Sequence, residues 1–138
     1  MNLSEDDLKR IFKQDQYATL SNIELLTAGP GRATARMALQ PHHWNALKTV
    51  HGGAIFTLAD FTFAAACNAH GTLAVALEAS IVFMKAATTG TLWSEAREVS
   101  KNFKVGLYVI EIKDDAGDVV AQFQGVAYRK KDHLPSHP

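Results

Sequence analysis

The sequence contains a single cysteine, Cys67, among its 138 residues. One cysteine cannot form a disulfide within the chain, so a reducing compartment is expected, with the cytoplasm as the default location. Net charge is also lacking, because 14 basic residues balance 14 acidic ones. A chain without net charge lacks the electrostatic footprint of a protein that binds nucleic acid or an anionic membrane. Neither partner is expected, whereas self-association meets little electrostatic opposition.

Several well-known sequence signals are missing. Residues 1–7 are acidic and contain no apolar h-region, so no signal peptide is expected. The absence of a G-x-S-x-G elbow excludes the Ser-His-Asp hydrolases that use it, and no Walker or Rossmann glycine pattern occurs. With 47% apolar and 20% charged residues, the composition fits one ordinary globular domain, residues 1–138.

What the chain does contain is one long apolar segment, residues 51–71, which predicts a helix. Gly52 and Gly53 stand at its start, Gly71 stands in the position of a C-terminal cap, and no proline interrupts it. Its apolar residues cover nearly every face of the helix, which is typical of a buried helix. The segment is too short and too polar to span a membrane.

Asp60 is a carboxylate within this apolar helix, and no lysine or arginine lies three or four residues away to pair with it. Burying an unpaired carboxylate costs several kcal/mol. Two interpretations are open: the side chain reaches solvent, or it is a base or nucleophile with a raised pKa in a cleft. The free amides and the dipole at the glycine-rich helix start could stabilise developing negative charge, as an oxyanion hole does.

The spacing along this helix suggests a second subunit. Gly52 and Gly53 precede Asp60 by eight and seven residues, or about 10–12 Å along the axis. Amide donors and an attacking group must each lie within about 3 Å of one reacting carbonyl group. Two antiparallel helices across a two-fold axis would meet this requirement, with the amides of one chain facing Asp60 of the other.

The order of elements predicts an α+β fold, in which a curved antiparallel sheet wraps around one long central helix. An N-terminal helical arm (1–18, with a helix over 5–18) comes first, and a frayed tail (130–138) comes last. The predicted strands are 21–27, 32–40, 72–84, 91–100, 105–113 and 119–129. Such a sheet has a free second face and free edges, which favour oligomers.

The loop 41–50 carries the chain into the central helix. Asn45 could position a water or a carbonyl group there, or could simply turn the chain. His42, His43 and His51 could suggest a metal site. However, no cysteine or carboxylate stands near them at ligand spacing, and adjacent histidines are poorly placed to bind one ion, so no metal is expected.

Six short motifs follow one another at a distinctive spacing. They are Asn45, His51-Gly52-Gly53, Leu58-Ala59-Asp60, Ala64 to Asn68, Ser80-Ile81-Val82-Phe83 and Gly125-Val126-Ala127-Tyr128-Arg129. Together they resemble the hotdog-fold acyl-CoA thioesterases, most closely the phenylacetate-degradation type, and the resemblance runs from about Tyr17 to Arg129.

This resemblance implies a homodimer as the active unit, with dimers commonly pairing into a homotetramer. It makes Asp60 the base or nucleophile against the thioester, and Gly52 the amide donor to the thioester carbonyl. Asn45 matches the family asparagine that helps hold the water or the substrate, and His51 matches the motif histidine near the same pocket. No metal or prosthetic group is implied as a cofactor, because coenzyme A arrives as part of the acyl-CoA substrate.

Further substrate contacts are expected at Gly53, Lys85, Asn102 and Lys104. After Phe83, relatives often read Leu-Arg-Pro-Ala where this chain has Met-Lys-Ala-Ala. Lys85 keeps the positive charge and could meet a coenzyme A phosphate. Asn102 and Lys104 stand where the family has polar residues before the fifth strand. They are candidate phosphate contacts or part of a solvated hairpin face.

The expected activity is hydrolysis of an aryl- or medium-chain acyl-CoA to the free acid and coenzyme A. The acyl preference rests on aromatic residues that could wall an apolar pocket or could be plain core. These residues are Trp44, Phe56, Phe61 and Phe63. Two alternatives remain open. One is a hotdog enoyl-CoA hydratase or dehydratase in which His51 and Asp60 move protons, and the other is a non-catalytic acyl-CoA-binding module.

Overall fold

The computed structural model of the chain describes residues 3–134, which form three α-helices and six strands. The helices are α1 (Glu5–Phe12), α2 (Gln16–Leu20) and α3 (Gly52–Asn68), and the strands are β1 (Ile23–Gly29), β2 (Arg32–Ala38), β3 (Thr72–Phe83), β4 (Thr91–Lys101), β5 (Val105–Lys113) and β6 (Val119–His133). The strands form one antiparallel sheet in the order β1-β2-β4-β5-β6-β3. The predicted fold, a curved sheet around one long helix, is confirmed.

The N-terminal arm differs from the single helix predicted over 5–18. The helix stops after α1 because the Asp15 carboxylate accepts a hydrogen bond from the Ala18 N–H at 3.0 Å and so caps a new helix, α2. The arm packs on the domain through Phe12, whose ring meets the edge of Phe61 on α3 at 5.6 Å between centroids. The arm therefore brings the Asp15 carboxylate toward the central helix.

The last strand is longer than predicted. The sequence pattern predicts an end at Arg129, but β6 continues to His133, which pairs with Thr72 at the start of β3. The start of β3 at Thr72 explains the longer β6, because its first residues provide backbone groups with which the polar end of β6 can pair. Residues 1–2 of the predicted arm and 135–138 of the predicted tail lie outside the described residues.

Helix α3 packs its apolar faces against the sheet but leaves one stripe uncovered. Gly53, Thr57, Asp60 and Ala64 follow one another at intervals of four, three and four residues, and none of them is fully buried. That interval keeps them on one side of an α-helix. Since most other residues of the helix are buried, this stripe is the face of α3 that residues 3–134 leave without a covering element.

Strand β3 is an edge of the sheet and carries apolar side chains into solvent. Leu77, Val82 and Phe83 are 65%, 59% and 51% exposed, and Met84 just beyond the strand is 65% exposed. Only β6 pairs with β3 among the described strands. An exposed apolar edge of this kind is typical of a surface that contacts other molecules.

The loop before α3 is fixed by His43, which is 3% exposed. Its Nδ1 accepts a hydrogen bond from the Gln40 N–H at 2.9 Å, so its Nε2 carries the proton and donates to the Ser21 carbonyl at 2.7 Å. Both ring nitrogens are therefore used on backbone groups. This leaves His43 no lone pair with which to bind a metal ion.

Replacing His43 by alanine is expected to lower the free energy of unfolding by about 2–4 kcal/mol, because a buried side chain and its two hydrogen bonds to backbone groups are lost. Urea unfolding monitored by circular dichroism would measure this loss. The neighbouring His42 is exposed, so His42→Ala is the matched control and should change stability by no more than about 0.5 kcal/mol. Equal losses in both variants would contradict the role given to His43.

Candidate active site

A cleft of about 360 Å³ opens at the start of α3. Val50, Gly52 and Ile55 line one side of it, and residues 83–87 after β3 line the other. The Gly52 N–H is the first amide of the helix and, within residues 3–134, has no hydrogen-bond acceptor. The Phe83 ring covers this glycine so closely that a Cβ atom there would lie 3.2 Å from the ring. The lack of a side chain at Gly52 thus keeps the cleft open down to a free amide.

The neighbouring amide is already engaged. His51 is the N-cap of α3, and its Nδ1 accepts a hydrogen bond from the Gly53 N–H at 2.8 Å. The structure therefore places His51 at the helix start as expected, but it uses the Gly53 amide to fix the imidazole ring. Of the two candidate amide donors, the Gly53 N–H is engaged by His51, whereas the Gly52 N–H faces the cleft and has no acceptor within residues 3–134.

Asn45 shapes the loop that leads to the helix. Its Oδ1 accepts hydrogen bonds from the N–H groups of Leu47 and Thr49 at 2.9 and 3.2 Å, and its Nδ2 donates to the Thr49 Oγ1 at 3.0 Å. Both ends of the side-chain amide are thus occupied within one turn. These contacts account for a turn-forming role of Asn45, and its contact with a water or a carbonyl group stays a prediction.

Asp60 lies on the uncovered stripe of α3 and is partly buried. Within the described part of the chain, its carboxylate has no hydrogen bond and no ion pair. Burial, and to a smaller extent the Asp15 carboxylate, raise the pKa of Asp60 above its ordinary value of 3.8. An unpaired carboxylate with a raised pKa is a better base than an ordinary aspartate.

A single chain does not bring Asp60 to the free amide of Gly52. Eight residues separate the two on one continuous helix, which is about 12 Å along the axis. The residues that line the cleft do not include Asp60. Within one chain, the Gly52 amide and the Asp60 carboxylate are therefore too far apart to act on the same carbonyl group.

Replacing Asp15 by asparagine is expected to lower the pKa of Asp60, because it removes the second of the two causes that raise it. Asparagine also caps helices, so α2 should persist. An NMR titration that follows the Asp60 carboxyl carbon would measure the shift. Asp6→Asn changes the net charge equally at an exposed site and should leave the pKa of Asp60 unchanged. No shift in Asp15→Asn would contradict the coupling.

Lys85 lies in the segment that lines the cleft but is not free. Its Nζ lies 2.6 Å from the Asp114 carboxylate and 2.7 Å from the Asp118 carboxylate, both in the β5–β6 turn. The side chains of Lys85 and Asp118 are 44% and 60% exposed, whereas that of Asp114 is 19% exposed. The predicted phosphate contact at Lys85 would have to compete with two carboxylates.

Asn102 and Lys104 are far from the cleft within one chain. The Asn102 Oδ1 accepts hydrogen bonds from the N–H groups of Lys104 and Val105, both at 2.8 Å, and so forms the β4–β5 turn. Val105 at the start of β5 pairs with Tyr128 of β6. On its other side, Tyr128 pairs with Val75 near the start of β3. The cleft lies at Phe83, eight residues or about 26 Å further along that strand. The structure does not group these residues with Gly52.

The cysteine of α3 is not a candidate nucleophile. Cys67 is buried, and burial raises the pKa of its thiol to about 12. A thiol of this kind remains protonated at neutral pH and is unreactive.

Sequence reasoning missed three features of this region: Asp15 near Asp60, the Phe83 ring over Gly52, and the two carboxylates around Lys85. Each joins residues that are far apart in the chain. Only the Asp15 N-cap left a local signal, an aspartate at the start of a helical stretch. The other two contacts depend on how the sheet is assembled.

Comparisons with known proteins agree with this geometry. The model of the thioesterase superfamily matches residues 47–121. The acyl-coenzyme A thioesterase PaaI of Escherichia coli K12 is 32% identical over 120 residues, which are 86% of each chain. A protein of Archaeoglobus fulgidus, named as a candidate esterase, is 40% identical over 126 residues, or 91% of this chain and 82% of that one.

A solved structure gives the same picture of the fold. The structure of the E. coli PaaI protein from the phenylacetic acid degradation operon superposes with a TM-score of 0.89 at 29% identity. The superposition covers 95% of this chain and 99% of that chain. The fold and the position of the helix within it are thus shared over almost the whole length.

Proposed function

Since the chain belongs to the thioesterase superfamily and is a thioester hydrolase, we propose that it hydrolyses aryl- or medium-chain acyl-CoA with Asp60 and the Gly52 amide as its catalytic groups. Acyl-CoA thioesterase activity is supported by the similarity to the thioesterase PaaI and to the human acyl-coenzyme A thioesterase 13, which is 36% identical over 73 residues, 51% of this chain. Phenylacetate degradation, a homotetramer and a cytoplasmic location remain predictions. No helix within residues 3–134 has the length and apolar character needed to cross a bilayer.

The proposed chemistry uses the two groups in distinct roles. The Gly52 N–H donates to the thioester carbonyl oxygen and stabilises the negative charge that develops on it. Asp60 of the partner subunit either takes the proton of an attacking water or attacks the carbonyl carbon itself. In the second case, an acyl anhydride forms and water then hydrolyses it. Both routes release the free acid and the thiol of coenzyme A.

The uncovered stripe of α3 supports a site shared between two chains. If two copies pack these stripes antiparallel, the start of each helix comes near the middle of the other. The amide of Gly52 and the carboxylate of Asp60, which are about 12 Å apart along one helix, then meet across the two-fold axis. The exposed apolar edge of β3 supplies further surface for such a dimer.

One observation carries the proposal. Within residues 3–134, Asp60 is an unpaired, partly buried carboxylate with a raised pKa, and it lies on the stripe of α3 that these residues leave uncovered. An aspartate with only a structural task would have a hydrogen-bond partner at this depth. Catalysis explains why this partner is lacking, because the partner is the substrate or the attacking water.

The apolar walls of the cleft support the acyl preference. Val50, Ile55, Phe83 and Met84 present hydrocarbon to a volume of about 360 Å³. Phe61 and Phe63 contribute less to the walls of the cleft, because they are 4% and 1% exposed and belong to the core. An aryl or medium-length acyl group is a reasonable match to this volume.

Free-thiol release from a panel of aryl, short, medium and long acyl-CoA substrates tests the proposed function. We expect turnover of at least one aryl or medium-chain member. Tight binding of acyl-CoA without thiol release would instead support a non-catalytic binding module. Addition of water to an enoyl-CoA, again without thiol release, would support a hydratase.

A further inference from the structure

A cluster of three charged side chains lies beside the cleft. The Nζ of Lys85 lies between the carboxylates of Asp114 and Asp118, at 2.6 and 2.7 Å. These three groups carry one positive and two negative charges. The segment of Lys85 lines the cleft that contains the free Gly52 amide, so the cluster places a net negative charge beside this cleft.

We propose that Asp114 and Asp118 compete with the phosphate groups of the substrate for Lys85, and thereby set the KM for coenzyme A thioesters. The inference rests on the proposed function, because it takes a coenzyme A thioester as the substrate of this cleft. In this proposal Lys85 binds a phosphate group of the substrate, and in the free protein the carboxylates of Asp114 and Asp118 occupy it. Asp114 and Asp118 then determine specificity without touching the reacting atoms.

The strength of the cluster suits competition. An ion pair between exposed side chains is worth little in water, because solvent and salt screen it, so a phosphate can displace a carboxylate. A phosphate also carries more charge and more acceptor oxygens than a carboxylate. Lys85 can therefore exchange partners when a phosphorylated substrate arrives, at a cost that raises the KM.

The two carboxylates differ in how firmly they are held. The Asp114 Oδ1 accepts hydrogen bonds from the N–H groups of Ala116 and Asp118, both at 3.0 Å, so Asp114 is built into the turn. The Asp118 side chain is 60% exposed and bonds only to Lys85 among the described residues. Asp118 is thus the carboxylate that can be altered without disturbing the turn.

Replacing Asp118 by asparagine is expected to lower the KM for acyl-CoA by about threefold or more at low salt, because one negative charge near the bound phosphates is removed. The gain should shrink as the ionic strength rises. The matching thioester of N-acetylcysteamine has no phosphate, so its KM should not change. Asp132→Asn is the control, since Asp132 is an exposed acid toward the far end of β6 and its replacement changes the net charge equally.

The role of Lys85 is tested in the same assay. Lys85→Gln should raise the KM for acyl-CoA by about threefold, and Asp118→Asn should have a smaller effect in that background than in the wild-type chain. An unchanged KM for acyl-CoA in Asp118→Asn would overturn the proposal. An equal fall in KM for both thioesters would do the same, since it would not depend on phosphate.

Failure of the proposed function would be seen separately. If the wild-type chain cleaves neither thioester, the proposed activity is wrong. The competition can still be measured by calorimetric titration with coenzyme A alone. We expect Asp118→Asn to lower the Kd for coenzyme A by about threefold and Asp132→Asn to leave it unchanged. Equal Kd values for wild type and Asp118→Asn would refute the competition.

Discussion

Replacing Asp60 by asparagine is expected to lower the rate of thiol release by about 10²- to 10⁴-fold, the range that a general base contributes. Asparagine keeps the size and shape of the side chain but can neither accept the proton of water nor attack a carbonyl carbon. The expected fall is therefore in kcat, with a smaller change in KM. Single-turnover and steady-state thiol release on the best acyl-CoA of the panel would measure it.

The same variant should be at least as stable as the wild type at neutral pH. The pKa of Asp60 is raised in the folded state, so the unfolded state loses this proton at lower pH than the folded state does. The ionised carboxylate therefore costs stability as the pH rises from its ordinary value of 3.8 through the raised value. Asparagine has no such cost. Thermal unfolding at two pH values would check this, with Asp6→Asn as the charge-matched control.

These two measurements separate a catalytic from a structural role. A lost rate with retained stability is the expected pair of results. A rate within a few-fold of wild type would contradict the assignment of Asp60 as base or nucleophile. A large loss of stability would contradict the account of its surroundings, because it would mean that the carboxylate makes favourable contacts in the folded chain.

The fold was predictable because its signals are local. In β2, Ala33, Ala35 and Met37 are buried and alternate with Arg32 and Arg36, which are exposed, as the period of two predicts. Turn residues such as Gly31 and Gly117, both with positive φ, mark where the hairpins reverse. A short stretch of sequence contains all of this information.

Parts of the candidate site were not predictable because they depend on assembly. Lys85 stands 29 and 33 residues before Asp114 and Asp118, and Asp15 stands 45 residues before Asp60. No periodicity or motif connects positions so far apart, and the sheet order brings them together only in three dimensions. The resemblance to a family suggested Lys85 as a phosphate contact, but it did not show the carboxylates that occupy it.

The engaged amide of Gly53 and the turn made by Asn45 are a different case. Both rest on hydrogen bonds between residues two to four apart, so the local sequence contained the information. A histidine can cap a helix through Nδ1, and an asparagine often bonds to the backbone two residues later. A catalytic interpretation of a polar residue beside a helix start must therefore first account for the capping and turn contacts it can make.

A mixture of the variants Asp60→Asn and Gly52→Pro, each expected to have little activity alone, is expected to recover activity if the site is shared between subunits. Gly52→Pro removes the N–H that donates to the carbonyl oxygen, and proline is tolerated at the first position of a helix. Gly52→Ala is its control, because alanine keeps the N–H and brings a similar Cβ atom toward Phe83. We expect Gly52→Pro to lower kcat by about 10²-fold or more, and Gly52→Ala to have a much smaller effect.

In a heterodimer of Asp60→Asn with Gly52→Pro, one site combines the intact Gly52 of the first chain with the intact Asp60 of the second. The other site combines both defects. Random pairing after denaturation and refolding gives half heterodimers, so about a quarter of the wild-type activity should return. If Gly52 and Asp60 acted within one chain, every site would carry one defect and no activity would return. Native mass spectrometry would verify that heterodimers form, and heterodimers without activity would show that the site lies within a single chain.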